Sequence, residues 1–237
     1  MPVTFIQSGR FGVAQTPTDV ADLSLWLKGD GVLYKEAART NLATVDADAV
    51  GSWSDGSTNA FHANAGDTAT LKTAIRNGRN VVRWTSPDLL TSSCAANTKG
   101  ITIMAALSVS SFASPRTILG ASVNGGMQFR FDISGKLQLL KQSMVSIGLS
   151  TTVLSTSTWY VVAVTYSSSG AYEFYVNGTI DGSDTNNLTL DAGSTRIGAN
   201  LNGGEPMEGD FGEIAKWDHV LTSGELSSMF AYFARWS

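Results

Sequence analysis

Two histidines, one cysteine and twenty carboxylates are the side chains of this sequence that could do acid–base, nucleophilic or metal chemistry. A serine nucleophile needs a positioned base. His62 lies in a stretch without a strong period and reads as a surface or loop-packing residue. His219, beside Asp218 in the turn after the last strand, reads as a solvated turn residue. Gly120-Ala-Ser122-Val-Asn124 lacks the second glycine of a nucleophile elbow. Glycoside cleavage needs two carboxylates on one face, about 5–5.5 Å apart when configuration is retained. In Asp210-Phe-Gly-Glu213-Ile-Ala-Lys-Trp-Asp218 a period of two places Asp210 and Glu213 on opposite faces, and Glu213 and Asp218 likewise. No phosphate-cradling glycine loop and no EF-hand loop occurs. No catalytic residue is assigned, and the chain reads as non-enzymatic.

Binding chemistry is less specific. Carboxylates gather late, at Asp181, Asp184, Asp191, Glu205, Glu208, Asp210, Glu213 and Asp218. Hard cations take several such oxygens, and Asp181, Asp184, or Glu205 with Glu208 are the first candidates for calcium. The preferred reading is solvated loop charge, with no metal site and no cofactor assigned. Among the aromatics, Trp26, Trp84, Trp159 and Trp217 fall within strand patterns and read as core, whereas Trp53, Trp236, Tyr34 and Phe61 stay open. Ligand-binding residues are therefore left unassigned. Lys72, Arg76, Arg79 and Arg83 could stripe a helix, but Asn77-Gly78 breaks it, leaving a turn and a strand with solvated charges. The net charge of −4 offers no basic footprint for nucleic acid.

The elements that must position these groups are strands. Charged residues make up 15% of the 237, against roughly 25% in an ordinary soluble domain. Their place is taken by 28 Ser, 24 Thr and 24 Gly, a composition for short strands and turns rather than a helical bundle. The single Cys94 excludes an intrachain disulfide. Residues 1–20 read as an N-terminal arm, with a strand at Val3–Ile6 and none of the regions of a signal peptide. The longest apolar run, Ile101–Val109, is far short of a membrane span. Synthesis in the cytoplasm is the expectation.

Strands are expected at Leu23–Lys28 and Val81–Trp84, at Ile101–Val109 with both faces buried, and over Met127–Ile133 with its partner Lys136–Leu140. Later strands are expected at Trp159–Tyr166, Tyr172–Val176, Thr195–Gly198 and Phe211–Trp217. Residues 35–80 read as a long, mostly irregular excursion holding one short strand around Trp53. Asn177-Gly178 is a hairpin turn. Thr222-Ser-Gly-Glu225 is a capping box opening a helix with Leu226, Met229, Phe230 and Phe233 on its apolar face. No linker splits residues 21–237.

The ordered pieces Trp159-Tyr-Val-Val-Ala-Val-Thr-Tyr166, Glu173-Phe-Tyr-Val-Asn-Gly178, Arg196-Ile-Gly198 and Gly209–Trp217, ahead of the terminal helix, resemble laminin-G-like, concanavalin-A-like jelly rolls. Leu25-Trp26-Leu27, Val50–Asp55 and Val82-Arg-Trp84 extend the resemblance over residues 20–237. It implies an all-β, two-sheet antiparallel jelly-roll sandwich with a short C-terminal helix and an N-terminal arm. Members of this type are glycan-binding or adhesion modules, domains attached to hydrolases, or bacteriophage structural proteins. With no signal peptide and no catalytic constellation, the expectation is a virion accessory protein: a capsid decoration, head-fibre or tail component. Its partners would be other virion proteins and cell-surface glycans, in a homo-oligomer, with neither nucleic acid nor membrane. The alternative is a carbohydrate-binding, lectin-like module.

Overall fold

The computed structural model describes residues 15–85, 89–96, 100–142, 145–200 and 202–237. The strand expected at Val3–Ile6 lies outside them. Of the remaining arm, Thr16 caps a 3-10 turn at Pro17–Asp19, and Val20 is buried in the core.

Among the described residues sixteen strands follow in chain order: β1 (Leu23–Lys28), β2 (Leu33–Tyr34), β3 (Ala49–Trp53), β4 (Ala63–Arg76), β5 (Arg79–Trp84), β6 (Leu89–Ala96), β7 (Ile101–Val109), β8 (Arg116–Ala121), β9 (Met127–Phe131), β10 (Leu137–Lys141), β11 (Val145–Leu149), β12 (Trp159–Tyr166), β13 (Ala171–Val176), β14 (Thr179–Thr185), β15 (Gly193–Ile197) and β16 (Gly209–Trp217). Among the described residues one α-helix, α1 (Ser223–Phe233), follows β16. The hydrogen-bonded path runs β11-β10-β9-β8-β15-β6-β4-β5-β16-β7-β12-β13-β14, with β1 beside β16 and β3 beside β4. Its pairings are antiparallel throughout. The path folds back on itself. Phe129 of β9 stacks on Phe174 of β13 at 6.3 Å, although the two strands stand near opposite ends of the path. The expected jelly-roll sandwich is therefore present.

Two apolar layers hold it. The inter-sheet core takes in Leu25, Leu27, Trp53, Trp84, Phe129, Phe131, Phe174, Phe211 and Ile214. The second layer packs Leu226, Met229 and Phe233 of α1 against Met104, Ala163 and Ala215 on the outer face of β7, β12 and β16. Strand β7 lies between the layers and is buried at every position, as its unbroken apolar run requires. The capping box at Thr222 and Glu225 forms with both arms, and Asn177-Gly178 makes its turn with φ of 49° and 85°.

Residues 35–80 are not the mostly irregular excursion their sequence suggests, because beside β3, the short strand expected around Trp53, they hold the long β4 and the first residues of β5. The inward residues of β4 include Ala63, Ala69 and Leu71, and alanine carries little apolar signal. Register shifts between Ala65 and Asp67 and between Lys72 and Arg76 also break its period. The basic cluster forms the turn and strand expected, with Asn77 and Gly78 at φ of 50° and 72°. Its charges are engaged rather than merely solvated. Lys72 meets Asp46, Arg79 meets Asp30 at 2.8 Å, and Arg83 meets Asp210 at 2.7 Å. Arg76 Nε donates to the Trp236 carbonyl at 2.7 Å. Ile133, expected to extend β9, lies beyond its end and is exposed.

Candidate functional site

Asp55 organises one end of the sandwich. It follows β3, and its carboxylate accepts from four donors: Trp26 N at 2.8 Å, Ser57 N at 2.9 Å, Ser57 Oγ at 2.6 Å and Phe61 N at 2.9 Å. A short acidic side chain bonding the backbone two residues on is the Asx-turn habit. Here it also ties the loop to β1. His62 completes the loop by accepting through Nδ1 from Asp55 N at 3.1 Å. That is the loop-packing role its position suggests. Burial, then the charge of Arg39, pulls the His62 pKa below its ordinary value, against a smaller opposing pull from Asp55.

The ordered loop walls a cleft of about 480 Å³ whose other side is the start of β1 and the end of β16. Thr18, Asp22, Ser24, Thr58, Asn59, Phe61 and Asp218 are the lining residues with hydrogen-bonding or aromatic character. Asn59 Nδ2 donates to the Leu23 carbonyl at 3.0 Å and to that of Ser24 at 3.3 Å, so its amide oxygen is the atom left for a ligand. Asp218 N donates to the Asp22 carbonyl at 2.9 Å, which sets the two acidic residues side by side. Asp22 holds a φ of 55°, a left-handed conformation that Asp and Asn tolerate better than most residues. Its side chain is 66% exposed.

Beneath them lies Lys216, on the last strand and fully buried. Its ammonium donates to Ser24 Oγ at 3.0 Å and to the Asp218 carboxylate. A buried cation must be paired, and both partners here are cleft residues. Lys216 therefore fixes one wall of the cleft and balances one of its two carboxylates. His219 is half-buried rather than solvated, 3.7 Å from Asp22 and 3.6 Å from Glu225. Phe61 and Asp218 were visible as candidates in the sequence. Asp22, Asn59 and Lys216 were not, because each works through contacts with residues distant in the chain.

The other sequence candidates lie elsewhere. Asp210 and Glu213 share a face after all, since a bulge at Gly212 places both Phe211 and Ile214 in the inter-sheet core. Each is engaged separately: Asp210 with Arg83, and the wholly buried Glu213 with Trp26 Nε1, Trp236 Nε1 and Arg235. A Cβ on Gly212 would stand 2.6 Å from the Trp236 ring, so only glycine allows that approach. Glu205 receives Gln128 Nε2 at 2.6 Å and the guanidinium of Arg130. The polar face of β9 is thus buried beneath the loop after β15 instead of facing water. Glu208 pairs with Arg116 at 2.8 Å, Asp181 accepts from Thr152, and Asp184 accepts from Thr185 N at 2.7 Å. Among the described residues no group of three or more His, Cys, Asp or Glu is placed to hold a metal ion. None of the six tryptophans is exposed. Trp53 and Trp236, left open by the sequence, are both fully buried, and the half-buried Trp159 stacks on Trp236 at 5.9 Å.

A laminin-G family model described as the concanavalin A-like lectin/glucanases superfamily matches residues 84–227. The chain belongs to that superfamily. No curated protein matches it. Three solved structures give its relation to known folds. The botulinum neurotoxin serotype D binding domain is 15% identical over 89% of this chain and 52% of its own, with a TM-score of 0.61. A Trypanosoma rangeli sialidase mutant displaying trans-sialidase activity is 14% identical over 91% of this chain and 33% of its own, with a TM-score of 0.60. A Bacteroides ovatus ATCC 8483 protein, assigned provisionally to carbohydrate binding, is 26% identical over 54% of this chain and 40% of its own, with a TM-score of 0.46. The chain thus spans between about a third and about half of these solved chains.

Proposed function

We propose that this chain is a non-enzymatic glycan-binding module, and that the cleft between Asp22, Asn59, Phe61 and Asp218 receives the sugar. The observation that carries this reading is the composition of the cleft. Carboxylate and amide acceptors and small hydroxyls surround one aromatic side chain in a recess of about 480 Å³. Convergent polar groups beside an aromatic surface suit a polyhydroxylated ring, whose hydroxyls donate to the acceptors while its C–H face lies on the ring. Lys216 holds Asp218 in an ion pair, which suits a fixed acceptor better than a proton-transferring acid. A lectin-like superfamily is the setting in which such a site is expected. Screening the protein on a glycan array tests the reading: a defined sugar class should be retained, and a blank array would contradict it.

The setting we favour is a bacteriophage particle, with the module serving as a capsid decoration, head-fibre or tail component. Cys94 is buried and unpaired, so the fold needs no oxidising compartment, which is compatible with synthesis in a host cytoplasm. Residues 1–20 would be the attachment arm. Removing residues 1–20 should leave a folded domain that fails to incorporate into particles. Normal incorporation, read by mass spectrometry of purified particles, would overturn the arm.

A further inference from the structure

We propose that the outer face of β13 and β14, alongside α1, is a docking surface for a protein segment that presents an apolar anchor followed closely by a lysine or arginine. The surface shares no lining residue with the glycan cleft, and the inference does not rest on that cleft. It consists of two recesses. The first, about 390 Å³, is formed by Tyr175, Gly178 and Ile180 on the hairpin and by Leu226, Ser227 and Phe230 on α1. Ile180 is 56% exposed, although its neighbours in the recess are largely apolar. Tyr175 packs on Phe230 with ring centroids 5.8 Å apart, which makes the floor an aromatic shelf. Gly178 opens the end of the recess, in a left-handed conformation that the tight turn requires.

The second recess, about 320 Å³, takes in Glu173, Ser183, Asp184 and Thr185 with Thr165 and Ser167. It continues along the same strand pair, because Tyr175 pairs with Ile180 and Glu173 with Ser183. Tyr175 and Glu173 stand two positions apart on one strand face, hence about 7 Å apart. They are joined directly, the Tyr175 hydroxyl donating to the Glu173 carboxylate. An apolar recess thus runs into an acidic one within the span of a few residues.

Charge selects the occupant. Most acidic residues beside an arginine or lysine in this fold are paired with it: Asp30, Asp46, Asp48, Glu205, Glu208, Asp210, Glu213 and Asp218 all are. Glu173 has no cationic partner among the described residues, whereas Asp184 pairs across the strands with the core residue Tyr172 and turns to the other face. A basic side chain delivered there would pair with the Glu173 carboxylate, while an apolar side chain two or three positions away would fill the shelf against Phe230 and Ile180. Burying an apolar anchor supplies affinity, and the charge pair supplies orientation and selectivity.

Random-peptide display on the immobilised full chain tests this, with selections repeated on Ile180→Asp and Glu173→Lys. Both positions are solvent-accessible, and unchanged melting temperatures will show that the variants fold. The wild type should enrich peptides that carry an aromatic or Leu residue two to three positions from Lys or Arg. Ile180→Asp should reduce binding of the enriched peptides by roughly tenfold or more. Glu173→Lys should reverse the charge preference, selecting Asp or Glu in place of the basic residue. No enrichment on the wild type, or an enriched motif indifferent to both substitutions, would overturn the proposal.

Discussion

Trp236, the penultimate residue, donates its indole N–H to Glu213 Oε2 at 2.8 Å, so the end of the chain is bonded to the middle of the last strand. Glu213 is fully buried and also receives the Trp26 indole and the Arg235 guanidinium. One carboxylate thereby joins β1, β16 and the segment after α1. A buried acid of this kind persists only when its charge is fully met by donors. The surroundings feel it as well: burial, and next the charge of Glu213, push the Tyr232 hydroxyl well above its ordinary pKa.

Glu213→Ala should cost about 3 kcal/mol, because it leaves two buried indole N–H groups and a guanidinium without their acceptor. Urea denaturation would read this as a lower midpoint. Glu213→Gln, which keeps one acceptor oxygen, should fall between the wild type and the alanine variant.

The loop that walls the cleft depends on Asp55 in the same manner. Asp55→Ala removes an acceptor shared by Trp26 N, Ser57 and Phe61 N, and should cost about 2 kcal/mol. Glycan retention should fall by more than this loss of stability explains, since Asn59 and Phe61 lose their placement. Hydrogen exchange at the Phe61 amide would show the loosening directly.

Acidification should act through His62. Its folded pKa is lowered, chiefly by burial, so the unfolded chain takes up the proton more readily than the native one. Stability is then fully present above the ordinary histidine value of about 6.5 and declines as pH falls through it toward the lower folded value. A protonated Nδ1 would also be unable to accept from Asp55 N. His62→Gln should flatten the dependence of melting temperature on pH between about 7 and 5.

Much of this fold could be read from the residues. Strong alternation located β9 and β10, an unbroken apolar run located β7, and Asn177-Gly178 and the Thr222–Glu225 box marked a hairpin and a helix start. The strands that escaped, β2, β4, β6, β8 and β11, are built from alanine, hydroxyl residues and short mixed stretches, whose burial is decided by the opposing sheet. The relation of Asp210 to Glu213 was misread for a local reason: a bulge at Gly212 shifts the period by one residue, and nothing in the spacing marks it. The cleft was the least legible part. Phe61 and Asp218 could be singled out, but their meeting depends on the pairing of β1 with β16 and on the Asp55 loop. Lys216, within a strand pattern, gave no sign that it would be buried under two cleft residues.

The most direct test of the cleft as a glycan site is calorimetric titration of Asp22→Asn with the sugar retained by the wild type. Asn tolerates the left-handed backbone at this position, and the residue is exposed, so folding should be unaffected. The account predicts roughly tenfold weaker binding at an unchanged melting temperature, with Glu173→Gln, which does not line the cleft, binding as the wild type does. Unaltered affinity in Asp22→Asn would place the sugar elsewhere and contradict the account.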